Sequence, residues 1–130
     1  MSHESGPASI LVVDDDEQVL ALIKIMLERE GYAVDAVGDG NLAVQVFDPA
    51  RHVLVITDIV MPEKEGIETI MELRMRKPDL AVIAISGGGR IGPEDYLAWV
   101  RRCGVRHTFA KPIAREDLLA AVAELIGQPA

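Results

Sequence analysis

The sequence predicts an α/β domain, a doubly wound parallel sheet of five strands in the order 2-1-3-4-5, covered by helices in a three-layer sandwich. Three observations support this fold class. Short apolar runs, typical of strands buried on both faces, alternate with segments of helical periodicity. Strict alternation implies right-handed crossovers and therefore parallel strands. Two of the apolar runs also end in carboxylates, and open α/β sheets bind ligands at the carboxyl ends of their strands.

Five apolar segments are predicted to form the strands. Each is short, and turn-forming residues bound it, which favours a strand over a buried helix. The fifth segment is the weakest of them. The predicted strands cover residues 10–13, 32–37, 53–56, 80–85 and 106–110.

Apolar residues spaced by three and four predict a helix after each strand. The spacing places Leu22, Leu42, Val46 and Met71 on the inward faces of the first three helices, together with their apolar neighbours. Gly31 ends the first helix, and proline or glycine follows the others. The predicted helices cover residues 17–30, 42–47, 66–76, 93–103 and 115–126.

Composition and charge limit the classes of function. A length of 130 residues fits one domain, predicted over residues 8–127, with a disordered lead over 1–7 and a tail over 128–130. The net charge of −8 argues against direct binding to nucleic acid, which requires a basic surface. The single cysteine, Cys103, cannot form an internal disulfide, so we expect a cytoplasmic protein. No signal peptide is visible and no apolar run reaches the ~20 residues that span a bilayer, so we expect no membrane partner.

The carboxylates at two strand ends are the main functional signal. Asp58 follows the third strand, and Asp14 and Asp15 follow the first. Alone, Asp58 could be an ordinary turn residue. In the order 2-1-3-4-5, however, the first and third strands are neighbours at the switch point, so the carboxylates meet there. Their mutual repulsion favours a bound cation, and a few hard oxygen ligands suit Mg²⁺.

Two further side chains are predicted to lie at the same edge of the sheet. Ser86 ends the fourth strand and Lys111 follows the fifth. The alternative for Ser86 is a cap of the glycine-rich loop over 87–89, and for Lys111 it is an ordinary solvated surface position. The three histidines are scattered without metal-ligand spacing, and we interpret them as surface or structural residues; they are His3, His52 and His107.

These motifs together resemble the receiver domains of two-component response regulators, of the kind found in chemotaxis regulators, over residues 8–127. The motifs that carry the resemblance are Val-Val-Asp14-Asp15-Asp16, Asp58-Ile-Val-Met-Pro62 with Gly66 four residues on, Ile-Ser86-Gly and Ala-Lys111-Pro112. The resemblance implies a flavodoxin-like fold and a protein that signals rather than turning over a substrate. Self-directed, Mg²⁺-dependent phosphotransfer and slow autodephosphorylation are the only chemistry that it implies.

The resemblance also implies a role for each site residue. Asp58 would be the phosphoacceptor, and Lys111 would pair first with it and then with the phosphoryl group. Ser86 would donate a hydrogen bond to a phosphoryl oxygen. The Mg²⁺ ligands would be Asp14, Asp15, Asp58 and the Val60 backbone carbonyl. In relatives, the peptide bond between the lysine and the proline is commonly cis.

One position departs from the family pattern. Three residues before the lysine, where many relatives carry an aromatic switch residue, this chain has Thr108. The acceptor chemistry does not depend on that position. We therefore expect Ser86 to be the main switch residue, and phosphorylation to act on the loop after Ser86 and the following helix.

Several alternatives for the function stay open. The chain could be a single-domain regulator, a phosphorelay intermediate or a receiver separated from an effector domain. Its expected partners are a histidine kinase or phosphotransfer protein and a downstream protein target. A pseudo-receiver scaffold that works without phosphorylation is the first alternative. A phosphatase of the haloacid dehalogenase kind is disfavoured, because that family needs a second Asp where this chain has Val60.

Overall fold

A parallel five-stranded sheet forms the centre of the protein, in the order β2-β1-β3-β4-β5. The computed structural model describes residues 8–59, 66–86 and 104–129. All four strand pairings are parallel, so the predicted fold class and strand order are confirmed. The strands are β1 (Ser9–Val13), β2 (Ala33–Val37), β3 (His52–Asp58), β4 (Ala81–Ser86) and β5 (His107–Ala110).

Helices lie on both faces of the sheet. Those within the described residues are α1 (Glu17–Arg29), α2 (Gly40–Val46), α3 (Gly66–Arg76) and α4 (Arg115–Ile126). They agree with four of the five predicted helices to within two residues at each end. The helix predicted over 93–103 and the loop over 87–89 lie outside the described residues. None of the described helices is long and apolar enough to cross a bilayer.

The core has two layers because successive residues of a strand point to opposite faces of the sheet. From β1, Leu11 and Val13 enter the layer under α2 and α3. Ile10 and Val12 enter the layer under α1 and α4. All five residues of β1 are buried, which explains why this strand is continuously apolar rather than alternating.

Four residues predicted to face inward are exposed instead. Leu22 is 56% exposed, Met71 is 54% exposed, and Leu42 and Val46 are each 42% exposed. In α1 the buried residues are Ile23, Met26 and Leu27, a stripe that Leu22 borders but does not enter. The prediction was wrong because it counted apolar residues that flank the buried stripe as inward, whereas a helix packed on one sheet buries only one stripe.

A partly buried polar network lies at the edge of the sheet opposite the carboxyl ends of the strands. His52 is fully buried, and its Nδ1 accepts a hydrogen bond of 2.9 Å from the Asp48 amide. The proton of the neutral ring therefore lies on Nε2, which donates to Asp35 Oδ2 at 2.8 Å. Arg51 donates to the same oxygen at 2.6 Å. The network joins the first residue of β3 to the middle of β2, and it places His52 as a structural residue.

The C-terminal end of α3 is attached to its neighbours by three cationic side chains. Arg76 donates to the carbonyls of Val44 at 3.1 Å and Phe47 at 3.0 Å. Lys77 donates to the carbonyls of Pro49 at 3.0 Å and His52 at 3.2 Å. Arg74 donates to the Leu80 carbonyl through Nε and Nη2, at 3.3 and 3.1 Å. These bonds satisfy backbone carbonyls in the connections before β3 and β4 and hold those connections against α3.

Candidate functional site

The candidate site lies where β1 and β3 end side by side. The last paired residues of the two strands are Val13 and Thr57, so Asp14 and Asp58 follow them on neighbouring strands. The chain leaves β1 toward β2 on one side, whereas β3 lies on the other side. This is the switch point at which open α/β sheets form a crevice. The predicted meeting of the two carboxylates is therefore a direct consequence of strand order.

Three carboxylates gather at this point. Asp14 is 1% exposed and Asp58 is 4% exposed, whereas Asp15 is exposed to solvent. One carboxylate oxygen from each of the three lies within 4.8 Å of the others. Two buried carboxylates and one at the surface form a cluster that is open on the solvent side.

Lys111 links the two buried carboxylates. Its Nζ lies 3.0 Å from Asp58 Oδ2 and 3.0 Å from Asp14 Oδ2, and it donates a hydrogen bond of 3.3 Å to Asp14 Oδ1. Burial tends to lower the pKa of Lys111, but its hydrogen bonds to the two carboxylates outweigh this effect and raise the pKa above its usual value. Lys111 is therefore held in its charged form.

Asp14 is the carboxylate with the least favourable surroundings. Burial raises its pKa above the ordinary value and the nearby charge of Asp58 adds to the effect, while hydrogen bonds from the Asp16 amide and Lys111 offset it only in part. The Asp16 amide donates to Asp14 Oδ1 at 2.9 Å. Asp14 Oδ2 is buried and accepts no hydrogen bond, although it contacts the lysine ammonium. A buried carboxylate oxygen in contact with an ammonium has a second lone pair, with which it could bind a metal ion.

The donor set fits a magnesium ion. Mg²⁺ binds oxygen ligands at about 2.0–2.1 Å in an octahedron, so opposite ligand oxygens are roughly 4.2 Å apart. The three carboxylate oxygens lie within 4.8 Å of one another, so one ion among them could be bound by each carboxylate directly or through a water. Residues Asp14, Asp15 and Asp58 would hold the ion. Val60, whose carbonyl the resemblance adds to this set, lies outside the described residues.

Ser86 and Lys111 are brought to the site by the last two strands. Ser86 is the final residue of β4, is 1% exposed and pairs with Ala110 of β5. Its carbonyl accepts a hydrogen bond of 2.8 Å from the Lys111 amide, which directs the lysine back toward β3. The Lys111-Pro112 peptide bond is cis. Thr108 lies within β5, half-buried and paired with Ala84, three residues before Lys111.

Gly66 contributes to the site in a way that the sequence did not reveal. It begins α3, and a Cβ at this position would overlap the Asp58 carbonyl oxygen and approach Ile59 Cα to 2.8 Å. The sequence motif includes this glycine, but only the structure shows that it contacts the backbone of the central carboxylate.

Asp16 has a separate, structural role. Its side chain caps α1 by accepting hydrogen bonds from the amides of Gln18 at 3.0 Å and Val19 at 3.3 Å. The acidic residues after β1 thus have different roles: Asp14, which is buried, and Asp15, which is exposed, belong to the carboxylate cluster, whereas Asp16 caps α1.

Known proteins match both the sequence and the structure. The sequence matches the family described as the response regulator receiver domain over residues 10–123. The transcriptional regulatory protein GlrR of Escherichia coli is 32% identical over 130 residues, which is 100% of this chain and 28% of that protein. A receiver domain protein of Clostridium thermocellum is 30% identical, with a TM-score of 0.84 over 92% of this chain and 94% of that one. TrrA of Thermotoga maritima, solved in complex with Mg²⁺-BeF, is 30% identical, with a TM-score of 0.76 over 92% of this chain and 99% of that one.

Proposed function

The chain belongs to the response regulator receiver domain family, and on that premise we propose that it is a phosphoacceptor of two-component signalling. Asp58 takes a phosphoryl group from a histidine kinase or a phosphotransfer protein. The observation that carries this proposal is the ammonium of Lys111, placed 3.0 Å from Asp58 Oδ2 within a cluster of three carboxylates. A buried carboxylate paired with a cation, at the switch point of an open sheet, is suited to accept a group that carries negative charge.

The transfer step follows from the chemistry of the two groups. An oxygen of the Asp58 carboxylate attacks the phosphorus atom of a phosphohistidine in line with the P–N bond. The new P–O bond forms as the P–N bond breaks, and the electron pair of that bond returns to the imidazole nitrogen, which takes a proton from water. The product is an aspartyl phosphate on Asp58 and a neutral histidine on the donor.

Lys111 and Ser86 act on the charge of the phosphoryl group. Lys111 already contacts Asp58, so its ammonium is in place to neutralise the phosphoryl oxygens without a large movement. Ser86, buried at the end of the adjacent strand β4, donates a charge-assisted hydrogen bond to one of these oxygens. Mg²⁺ would be held by Asp14, Asp15 and Asp58, with the Val60 carbonyl that the resemblance adds, and would supply additional positive charge at the transferring group.

The output of this reaction is a changed protein-binding surface. The chain catalyses only its own phosphorylation and does not turn over a substrate. It then loses the phosphoryl group by slow autodephosphorylation. Curated relatives such as GlrR are named transcriptional regulatory proteins, and the chain spans about a quarter of the length of that protein. The target of this chain is either a separate protein or an attached effector domain. The domain that receives the phosphoryl group covers residues 8–127, and it acts in the cytoplasm.

The direct test is phosphorylation of purified protein by acetyl phosphate with Mg²⁺, followed by intact mass spectrometry. We expect a mass increase of one phosphoryl unit, which does not form when EDTA is present from the start or when Asp58 is replaced in Asp58→Asn. A matched control is Asp79→Asn, an exposed carboxylate just before β4, at the opposite edge of the sheet, which should be phosphorylated as the wild type is.

The outcome that would contradict the proposal is an unchanged mass of the wild type with several small donors and with a cognate kinase. A folded protein with this behaviour would instead be a phosphorylation-independent scaffold. Phosphorylation that persists in Asp58→Asn would show that another residue is the acceptor.

A further inference from the structure

We propose that Gly66 is a positioning residue for the phosphoacceptor: the absence of a side chain at this position sets where the Asp58 carboxylate lies. This inference rests on the proposed function of Asp58. It concerns a residue of α3 that has no side chain to touch the phosphoryl group or the metal.

The first observation is the space around Gly66. A Cβ there would overlap the carbonyl oxygen of Asp58, lie 2.8 Å from Ile59 Cα and lie 2.9 Å from the Asp58 carbonyl carbon. All three atoms belong to the main chain, so no side chain can rotate away to make room. The described glycines with a positive φ angle are Gly31, Gly104 and Gly127, so the requirement at Gly66 is for space and not for an unusual backbone conformation.

The second observation is that the same stretch of backbone is held by hydrogen bonds. The Gly66 amide donates to the Ile59 carbonyl at 2.7 Å, which joins the start of α3 to the residue after Asp58. The Thr57 hydroxyl donates to the Asp58 carbonyl at 2.9 Å. The Ile59 amide donates to the Ile85 carbonyl of β4 at 2.8 Å. The peptide after Asp58 is therefore fixed by β4, by Thr57 and by contact with Gly66.

A change in this peptide moves the Asp58 carboxylate. The direction of the side chain follows from the backbone at its Cα, and a separation on the order of an ångström would be needed to admit a Cβ at Gly66. A shift of that size at Asp58 breaks a contact of 3.0 Å with Lys111 Nζ and opens the carboxylate cluster. Displacements of about 1 Å in positioned reacting groups reduce rates by up to roughly a hundredfold.

The experiment compares Gly66→Ala with Gly38→Ala. Gly38 has nothing within 4 Å of an added Cβ, so it controls for the loss of a glycine as such. For each protein we would measure the saturating rate constant of phosphorylation by acetyl phosphate and the dissociation constant of Mg²⁺ by calorimetry. Both measurements are made at a temperature at which circular dichroism shows each variant to be folded.

We expect Gly66→Ala to lower the saturating rate constant by roughly 10- to 100-fold and to weaken Mg²⁺ binding, with both unchanged in Gly38→Ala. A purely structural role for Gly66 would lower the melting temperature and leave both quantities unchanged in the folded molecules. That result would overturn the inference.

If Gly66→Ala does not fold, Thr57→Val decides the question. This substitution keeps the shape of a buried side chain and removes the hydroxyl that donates to the Asp58 carbonyl. We expect a several-fold lower saturating rate constant, and an unchanged one would refute the idea that the backbone of Asp58 positions the nucleophile. If the wild type is not phosphorylated, both the proposed function and this inference are wrong. If the wild type is phosphorylated and Gly66→Ala has the same rate constant and Mg²⁺ affinity, only the inference is wrong.

Discussion

Binding of Mg²⁺ should raise the free energy of unfolding, because it relieves the repulsion among the clustered carboxylates. Three carboxylates and one ammonium leave a net local charge of −2, and the carboxylate oxygens lie within 4.8 Å of one another. At a separation of 4.8 Å or less, two like charges repel by at least about 3.5 kcal/mol at an effective dielectric constant of about 20. Solvent around the exposed Asp15 reduces its share of this repulsion. A divalent cation relieves a repulsion of a few kcal/mol.

Mass action gives the corresponding measurable effect. At a Mg²⁺ concentration about 100 times the dissociation constant, binding to the native state alone adds about 2.7 kcal/mol to the free energy of unfolding. For a chain of 130 residues this corresponds to a rise in melting temperature of about 10 °C. The assay is thermal unfolding followed by circular dichroism across a Mg²⁺ titration, with NaCl added to match ionic strength.

Asp15→Asn is the informative variant, because Asp15 is exposed and its replacement should leave the fold intact. Loss of one ligand that weakens binding tenfold would remove about 1.4 kcal/mol of the stabilisation at the same Mg²⁺ concentration. Asp79→Asn should keep the full response. A wild type whose melting temperature is indifferent to Mg²⁺, or an Asp15→Asn variant that responds as the wild type does, would show that these acids do not form a metal site.

Two further predictions concern the network at the opposite edge of the sheet and the switch. Burial tends to raise the pKa of Asp35, but hydrogen bonds from His52 and Arg51 outweigh it and lower the pKa below 3.8. The charged carboxylate therefore stabilises the fold above pH 3.8, and this stabilisation is lost as the pH falls through the pKa of Asp35 in the folded protein. Asp35→Asn should therefore lower the free energy of unfolding by about 1 kcal/mol near neutral pH, a value limited by solvent screening because the Asp35 side chain is 40% exposed. In urea unfolding, the difference between variant and wild type should shrink in acid. A difference that stays constant with pH would refute this prediction. A phosphoryl mimic should alter hydrogen exchange over residues 87–103 in the wild type and in Thr108→Ala, but much less in Ser86→Ala, because Ser86 supplies the differential interaction with the two states. A response lost in Thr108→Ala and kept in Ser86→Ala would contradict the proposed route.

Residue order along the chain was sufficient to predict the meeting of Asp14 with Asp58. Each follows a continuously buried strand, and parallel strands that are neighbours bring their carboxyl ends together, so the inference needed only the strand order. Lys111 followed in the same way from its place after β5. The position of these residues depends on topology, which apolar periodicity encodes well.

Features that depend on local three-dimensional packing could not be predicted in this way. Met71 and Leu22 have helical spacing from buried residues, but which flank of a stripe meets the sheet depends on how each helix is rotated. His52 gave no signal, because its side-chain partner Asp35 lies on β2, 17 residues earlier in the chain. The contact between Gly66 and the Asp58 backbone is likewise a property of two segments brought together only by folding.

The attachments of α3 at its two ends have a mechanical consequence. Gly66 joins the start of the helix to the residue after Asp58, while Arg76 and Lys77 join its end to α2 and to the first residue of β3. Strand and helix are thus joined at both ends of the helix, so a movement of the whole helix along the strand would break hydrogen bonds at both ends. We therefore expect a displacement imposed on the Asp58 backbone to move the eleven residues of α3, roughly 16 Å, together and so to reach the connection between α2 and β3.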